Sequence, residues 1–170
     1  MTERKLLESD GATWRFRHRL LQDYFIEKYE VKEDDYLGYK TKGYFYYNNK
    51  KRDKAIEYFE KAVTIKSNDA YILTNLGFLL ICLGKTEKAE QHLLIAIELG
   101  SHALGNMNLG HIYLCKGAKN KALDCYKKGL DSFKSKKDFW YGMQDDFQYL
   151  TQYGMTETYY QSVLEELRKM

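Results

Sequence analysis

Apolar residues recur every three or four positions through most of the chain, and the recurrence stops at short polar or glycine-containing stretches. This spacing places apolar side chains on one face of an α-helix. The clearest pair of predicted helices covers residues 70–83 and 86–99, with a turn at Gly84-Lys85-Thr86 between them. Proline, a strong helix breaker, is absent. The pattern predicts an all-α chain of short helices joined by tight turns.

The same helix–turn–helix pattern returns at steps of 34 and 33 residues when Gly43, Gly77 and Gly110 are aligned. Four further columns agree in residue type: Ala55, Ala89 and Ala122; Tyr46, Leu80 and Tyr113; Phe59, Leu93 and Tyr126; Ala62, Ala96 and Gly129. Small residues let helices cross closely, and the bulky residues fill the space between them. Because one hairpin cannot bury its apolar face alone, we expect the hairpins to stack.

With these columns, the chain resembles the tetratricopeptide repeat family, whose helical hairpins have about 34 residues. The repeat that begins at Ala70 fits best, through Leu73, Leu76, Gly77, Leu80, Ala89, Leu93 and Ala96. Lys42 stands where the family has Leu, and Ser67, Ser101 and Lys134 replace its terminal proline. The resemblance implies a right-handed superhelical solenoid of antiparallel helix hairpins.

Three regions are predicted along the chain. Residues 1–33 form an N-terminal cap helix segment, residues 34–134 form three repeats, and residues 135–170 form a divergent C-terminal hairpin. The helices of that hairpin are expected at 136–153 and 156–169, after a capping-box spacing from Ser135 to Asp138. The ends of a solenoid usually need atypical units of this kind.

The N-terminal segment allows two interpretations. Its apolar face is formed by Phe16, Leu20, Leu21, Tyr24 and Phe25. Leu21 and Phe25 precede Ala55 and Phe59 by 34 residues, which favours a cap helix that stands in for part of a missing repeat. The stretch from Phe16-x-His18 to Leu21-Gln22-Asp23-Tyr24-Phe25 also resembles the end of the helical part of NACHT-type signalling ATPases of the STAND class. That resemblance implies a sensor or regulatory tail whose ATPase lies elsewhere.

The triplet Gly84-Lys85-Thr86 resembles the end of a phosphate-binding P-loop, but the spacing excludes that motif. The first glycine of the P-loop would be residue 79, which is Leu79. We expect Gly84 to end one helix and Thr86 to cap the next. Cys82, His111 and Cys115 could face one another, although a zinc site usually needs a fourth ligand. The sequence shows no recognisable arrangement of catalytic residues. We therefore expect neither catalysis nor a bound cofactor or metal.

Composition narrows the class of protein further. The net charge of +3 is too small to imply nucleic acid by itself. Arg15, Arg17 and Arg19 would spread around a helix, so an RNA-contacting array is the least favoured alternative. No apolar run is long enough for a membrane helix, and the N-terminus lacks a secretory pattern. The three cysteines are therefore expected to be reduced in a cytoplasmic protein.

The family resemblance implies a concave groove, lined by the first helix of each repeat, for a peptide or a partner helix. The residues predicted to face it are Lys40, Tyr44, Tyr47, Tyr71, Thr74, Asn75, Phe78, Met107, Asn108 and His111. Asparagines at the places of Asn75 and Asn108 hold the peptide backbone in some members, although a local hydrogen bond between helices is an equal alternative. Only Lys40 and Asn75 match the carboxylate clamp of chaperone-binding members, so we expect a less charged ligand. The function predicted is a non-catalytic scaffold for an unidentified protein partner, of unspecified oligomeric state.

Overall fold

The computed structural model describes residues 21, 23–28, 30–32 and 34–170. The chain divides into two compact units, residues 1–65 and 66–170. Throughout the described ranges the regular structure is helical and contains no strand, which confirms the predicted all-α class.

The first unit holds a helical hairpin. Residues 21 and 23–28 are helical, and they precede α1 (Tyr36–Asn48) and α2 (Arg52–Ile65). The Asp35 carboxylate caps α1 by accepting a 2.7 Å bond from the Gly38 N–H. The described members of the expected apolar face of the N-terminal helix, Leu21, Tyr24 and Phe25, are exposed. Phe25 is 65% exposed, while its repeat counterpart Phe59 is fully buried. Phe16 and Leu20 lie outside the described residues.

The second unit continues with helix hairpins. Its elements are α3 (Ala70–Cys82), α4 (Thr86–Glu98), α5 (His102–Cys115), α6 (Lys119–Ser132), α7 (Lys136–Leu150), a 3₁₀ turn (Thr151–Tyr153) and α8 (Glu157–Arg168). The hairpins α1–α2, α3–α4 and α5–α6 coincide with the three predicted repeats, and α7–α8 coincides with the divergent hairpin. Ser135 starts α7 as expected, because its hydroxyl accepts a bond from the Asp138 N–H at 3.3 Å.

The aligned glycines mark close contacts between the two helices of each repeat. A Cβ atom added at Gly43 would lie 2.4 Å from the Phe59 ring, and one added at Gly110 would lie 2.4 Å from the Tyr126 ring. At Gly77 the nearest atom would be Leu93 Cγ, at 2.6 Å. The alanine columns are buried as well. The predicted role of the small residues in close helix crossing is confirmed.

The turn at Gly84 is the predicted helix end, but the expected cap is wrong. Gly84 has φ +77, and its N–H and that of Lys85 donate to the carbonyls of Ile81 and Leu80. The N-cap of α4 is Lys85, which makes no side-chain cap bond. Thr86 is the first residue inside α4, and its hydroxyl donates to the Glu87 carboxylate at 3.2 Å.

Candidate functional site

The predicted groove residues lie on α1, α3 and α5. On α1, in the first unit, Lys40, Tyr44 and Tyr47 are half-buried. The Tyr44 ring meets the Phe59 ring edge-on, with centroids 5.1 Å apart, and Lys40 Nζ lies 5.7 Å from the Tyr36 ring centroid. Lys40 and Tyr44 therefore pack against their own hairpin. The side chains of Lys40, Tyr44 and Tyr47 are each only partly exposed to solvent.

On α3, in the second unit, the open surface is at the N-terminal end of the helix. Tyr71 is 72% exposed. Asn75 Nδ2 donates to the Tyr71 carbonyl at 2.8 Å, which holds the amide along the helix. Further on, the half-buried Phe78 ring meets the Tyr149 ring edge-on at 5.5 Å. A ligand would therefore meet Tyr71 and Asn75 before Phe78.

Thr74 is buried and ties α3 to the start of α5. Its Oγ1 donates to the Ala70 carbonyl and lies 2.7 Å from Ser101 Oγ. Because a hydroxyl carries one hydrogen, Ser101 is the donor in this second bond. Ser101 is the N-cap residue of α5 but makes no side-chain cap bond to that helix. The bond to Thr74 thus takes the place of the usual cap.

A groove of about 490 Å³ opens beside these residues. Its walls come from the first turns of α3 and α5 and from the connection between α6 and α7. The groove lining includes Tyr71, Thr74, Asn75, Ser101, Leu104, Phe133 and Asp138. These side chains combine apolar surface with hydroxyl, amide and carboxylate groups, a composition that suits a peptide ligand.

On α5 the predicted groove residues Met107, Asn108 and His111 are all buried. Helix α7 contacts α3, α5 and α6. Gly142 of α7 comes so near Met107 that a Cβ added there would lie 3.4 Å from Met107 Cε. The groove predicted from the sequence is therefore partly filled by the chain itself.

His111 joins α5, α6 and α7 in a buried polar network. Its Nδ1 lies 2.8 Å from the Tyr126 hydroxyl, and its Nε2 lies 3.3 Å from Asp146 Oδ2. Burial raises the pKa of Tyr126 well above its ordinary value, so the hydroxyl keeps its hydrogen. A neutral His111 with its hydrogen on Nε2 accepts from Tyr126 and donates to Asp146, which satisfies both contacts.

The 3₁₀ turn after α7 is bonded to the end of α3. Gln152 Nε2 donates to the carbonyls of Ile81 and Cys82 at 3.3 and 3.2 Å, and the Tyr153 hydroxyl donates to the Ile81 carbonyl. Carbonyls in the last turn of a helix have no donor within that helix. The turn therefore covers this end of α3 and caps it at the same time.

Sequence reasoning missed Asp146, Tyr149, Gln152 and Tyr153, the residues through which α7 and the following turn contact α3 and α5. One signal for Asp146 was available. The buried positions of α7 are Phe139, Met143, Asp146 and Leu150. A carboxylate in an otherwise apolar stripe indicates a buried polar partner, which here is His111.

Asn108 is the equivalent of Asn75 one repeat later, but its environment differs. Its residue is buried, and its Oδ1 accepts no hydrogen bond from any part of the chain that the structure describes. A buried carbonyl oxygen without a donor is unfavourable by about 1–3 kcal/mol. The burial of Asn108 therefore leaves one polar atom of α5 without a hydrogen-bond donor from the described residues.

The cysteines show no sign of reactive or metal-binding chemistry. None of the three forms a disulfide, and burial raises the pKa of Cys115 to about 11 and also raises that of Cys125. Both ring nitrogens of His111 are engaged by Tyr126 and Asp146. Within the described ranges, no three His, Cys, Asp or Glu side chains are grouped to hold a metal ion. No helix there is long and apolar enough to cross a bilayer.

Comparison with protein families agrees with the repeat geometry. One tetratricopeptide repeat model matches residues 39–69 and 105–135, and a second matches residues 58–91. The chain contains tetratricopeptide repeats. These repeats include the hairpins that carry the predicted groove residues. The resemblance to NACHT-type ATPases at residues 16–25 lies largely outside the described residues and stays a prediction.

Known proteins match part or most of the chain. BBSome complex member BBS4 from Bos taurus is 37% identical and that from Mus musculus 33% identical, over 81 residues. That stretch is 48% of this chain and 16% of each relative. The first TPR of Spaghetti (RPAP3), solved with the HSP90 peptide SRMEEVD, aligns with TM-score 0.57 and 21% identity over 71% of this chain and 97% of its own. PilW, a type IV pilus biogenesis factor, aligns with TM-score 0.59 and 20% identity over 91% of this chain and 72% of its own. The two structures support the helical solenoid fold.

Proposed function

We propose that the protein is a non-catalytic scaffold that binds an extended peptide of a partner protein in the groove beside Tyr71. The observation that carries this proposal is the 490 Å³ groove, whose rim holds the exposed Tyr71 ring next to the Asn75 amide. Tyrosine is enriched among the residues that dominate binding energy at protein interfaces. The similar repeat domain of Spaghetti (RPAP3) is described as bound to a peptide, and BBS4 as a member of a complex.

In this proposal, the open part of the groove determines where the peptide lies and how it is oriented. Helix α7 contacts Met107 and His111, and Asn108 is buried as well, so the peptide would lie along the first turns of α3 and α5. Leu104 offers apolar surface there, and Phe133 and Asp138 form the opposite wall. The ligand would present one apolar side chain between these walls and backbone amides towards Asn75.

The proposal is tested with peptides selected from a random library by binding to the full chain. Tyr71→Ala should weaken the selected peptides at least tenfold, because it removes the exposed ring at the rim. Asn75→Ala should weaken them less, through the loss of one polar contact. Tyr159→Ala is the matched control, since Tyr159 is an exposed tyrosine on α8, away from the groove lining. Equal affinity of Tyr71→Ala and the wild type, measured by fluorescence anisotropy, would exclude this groove as the binding site.

The proposal includes the absence of catalysis and a location in the cytoplasm. His111 is fully buried and has both ring nitrogens engaged, so a substrate would not reach it for proton transfer. The three cysteines, none of which forms a disulfide, support a reducing compartment.

A further inference from the structure

Lys42 breaks the repeat pattern at a position that is otherwise part of the core. Leu76 and Leu109 occupy the same column one and two repeats later, and both are buried. Lys42 is also buried, with 7% of its surface exposed. Lysine is almost never this buried unless its charge is paired. A residue that breaks a local rule of the fold in this way is a candidate for function.

The contacts of Lys42 only partly compensate for its burial. Its ammonium donates to the Glu27 carbonyl at 3.4 Å, which is long for such a bond, and lies 5.4 Å from the centroid of the Tyr58 ring. An ammonium has three donors, and no carboxylate of the described residues lies within 4 Å of this one. The Glu27 carboxylate instead faces Lys51, at 3.9 Å. Lys42 therefore retains capacity for an anionic partner.

An anionic partner could bind in a cavity of about 500 Å³ in the first unit. The residues that line it include Lys42, Lys61, Tyr39 and Tyr58, together with the acidic residues Glu27 and Glu30. Lys61 Nζ lies over both rings, 5.8 Å from the Tyr39 centroid and 5.4 Å from the Tyr58 centroid. It also donates to Glu57 at 2.6 Å. The ammonium groups of Lys42 and Lys61 thus lie at the same distance, 5.4 Å, from the centroid of one ring, that of Tyr58.

We propose that this cavity binds one carboxylate group of a partner polypeptide, held between Lys42 and Lys61. Both ammonium groups would donate to it, and charge-assisted bonds of this kind are stronger than neutral ones. The hairpin supports the approach of an acidic group, because residues 36–65 carry seven basic and three acidic side chains. Burial raises the pKa of Tyr58 above its ordinary value, so its hydroxyl keeps a hydrogen at neutral pH.

The surroundings favour a single carboxylate over the phosphate backbone of a nucleic acid. Single-stranded nucleic acids bind by stacking bases on open aromatic faces. Here Tyr46 stacks on Tyr58 at 5.3 Å and 14°, and Lys51 and Lys54 lie over Tyr46. The ring faces are therefore occupied, and Glu27 and Glu30 would repel a polyanion more than a lone acidic side chain.

This inference concerns a site separate from the proposed groove and goes beyond the proposed function. The probe is the peptide acetyl-Gly-Gly-Glu-Gly-Gly-amide, titrated into the isotopically labelled full chain, with NMR shifts of the lysine side chains as the readout. The same peptide with Gln in place of Glu is the control ligand. We expect saturable shifts with the Glu peptide and none with the Gln peptide. Tyr71→Ala should leave this titration unchanged, so the two proposals can fail independently.

Lys42→Leu restores the residue type of the repeat column and is the decisive variant. We expect it to raise the melting temperature by a few degrees, since a buried charge is replaced by an apolar side chain, and to abolish the shifts caused by the Glu peptide. Lys61→Gln should keep the fold and weaken binding roughly tenfold, which tests the site even if Lys42→Leu misfolds. Lys54→Leu, on the same hairpin but not in the cavity lining, should stay within about twofold of the wild type.

Two kinds of result would overturn the inference. Unchanged peptide shifts in Lys42→Leu would mean that Lys42 is only tolerated in the core. Tighter binding of inorganic phosphate or decauridylate than of the Glu peptide would mean that the cavity selects phosphate and not a polypeptide carboxylate. Acetate serves as the free carboxylate, and we expect it to compete with the Glu peptide at the same residues.

Discussion

Lys50 occupies a backbone conformation that the next two repeats give to glycine. Gly84 and Gly117 end the first helices of their hairpins with φ +77 and +73, and Lys50 has φ 57 at the same place. The hydrogen bonds are the same as well, because the Lys51 N–H donates to the Tyr46 carbonyl at 2.9 Å. The left-handed region disfavours residues that have a Cβ by about 1–2 kcal/mol.

Replacing Lys50 by glycine should therefore stabilise the protein. We expect Lys50→Gly to raise the free energy of unfolding by about 1 kcal/mol, since the strain disappears and part of the gain is offset by the greater freedom of glycine in the unfolded chain. The measurement is urea denaturation followed by circular dichroism. Lys50→Ala is the matched control, because it removes the charge and keeps the Cβ. An equal gain in Lys50→Ala would mean that charge, and not backbone conformation, is responsible.

At the scale of the elements, helix positions were predictable from sequence and the placement of α7 was not. The predicted helices at 70–83 and 86–99 end within one residue of α3 and α4, because apolar spacing and Gly84 mark their faces and ends. Apolar spacing and turn glycines predict the two helices of a hairpin and the face that packs against the next hairpin. The docking of a terminal helix on a face shared by α3 and α5 depends on shape and on polar contacts between distant segments.

The same limit of sequence reasoning applies to the two asparagines that were predicted to face the groove. Asn75 and Asn108 both precede Leu-Gly, so the sequence treats them alike. The structure leaves Asn75 partly open and buries Asn108, although both occupy the same place in their repeats. A combined Asn75→Ala and Asn108→Ala variant would therefore mix a surface change with a change in a buried face, and Tyr71 is the cleaner probe of the groove.

The buried Asp146 should be important for the docking of α7. Asp146→Ala leaves the His111 Nε2–H without its acceptor, and an unsatisfied buried donor is unfavourable by about 1–3 kcal/mol. We expect a loss of stability of that size in urea denaturation, together with faster hydrogen exchange in α7. Asp145→Ala is the control, since Asp145 is the exposed neighbour on the same helix. If the two variants lose the same stability, the contact with His111 does not hold α7.

At the scale of the whole molecule, ion pairs between repeats make stability depend on pH. Glu90 of α4 accepts a 2.7 Å bond from Lys116 at the end of α5, which joins the second repeat to the third. The bond from Lys116 is the main cause that lowers the pKa of Glu90 below its ordinary value of 4.5, with Tyr113 also contributing and burial opposing. Burial is the larger cause that raises the pKa of Tyr113 to about 12, and the hydrogen bond between Tyr113 and Glu90 is the next cause. The pair is partly exposed, so solvent screens it.

The sign of the pH effect follows from the lowered pKa of Glu90. Because the folded protein holds this carboxylate in its ionised form more strongly than the unfolded chain does, the contact stabilises the fold fully above about pH 4.5. The stabilisation is lost as the pH falls through the lower, folded-state pKa. Glu90→Gln should therefore be less stable than the wild type at pH 7, and the difference should shrink as the pH falls below 4.5 towards 3. The measurement is a series of urea denaturations across this range, with the exposed Glu165→Gln as control. A difference between Glu90→Gln and wild type that stays constant from pH 7 to pH 3 would mean that Glu90 acts through its shape and not through its charge.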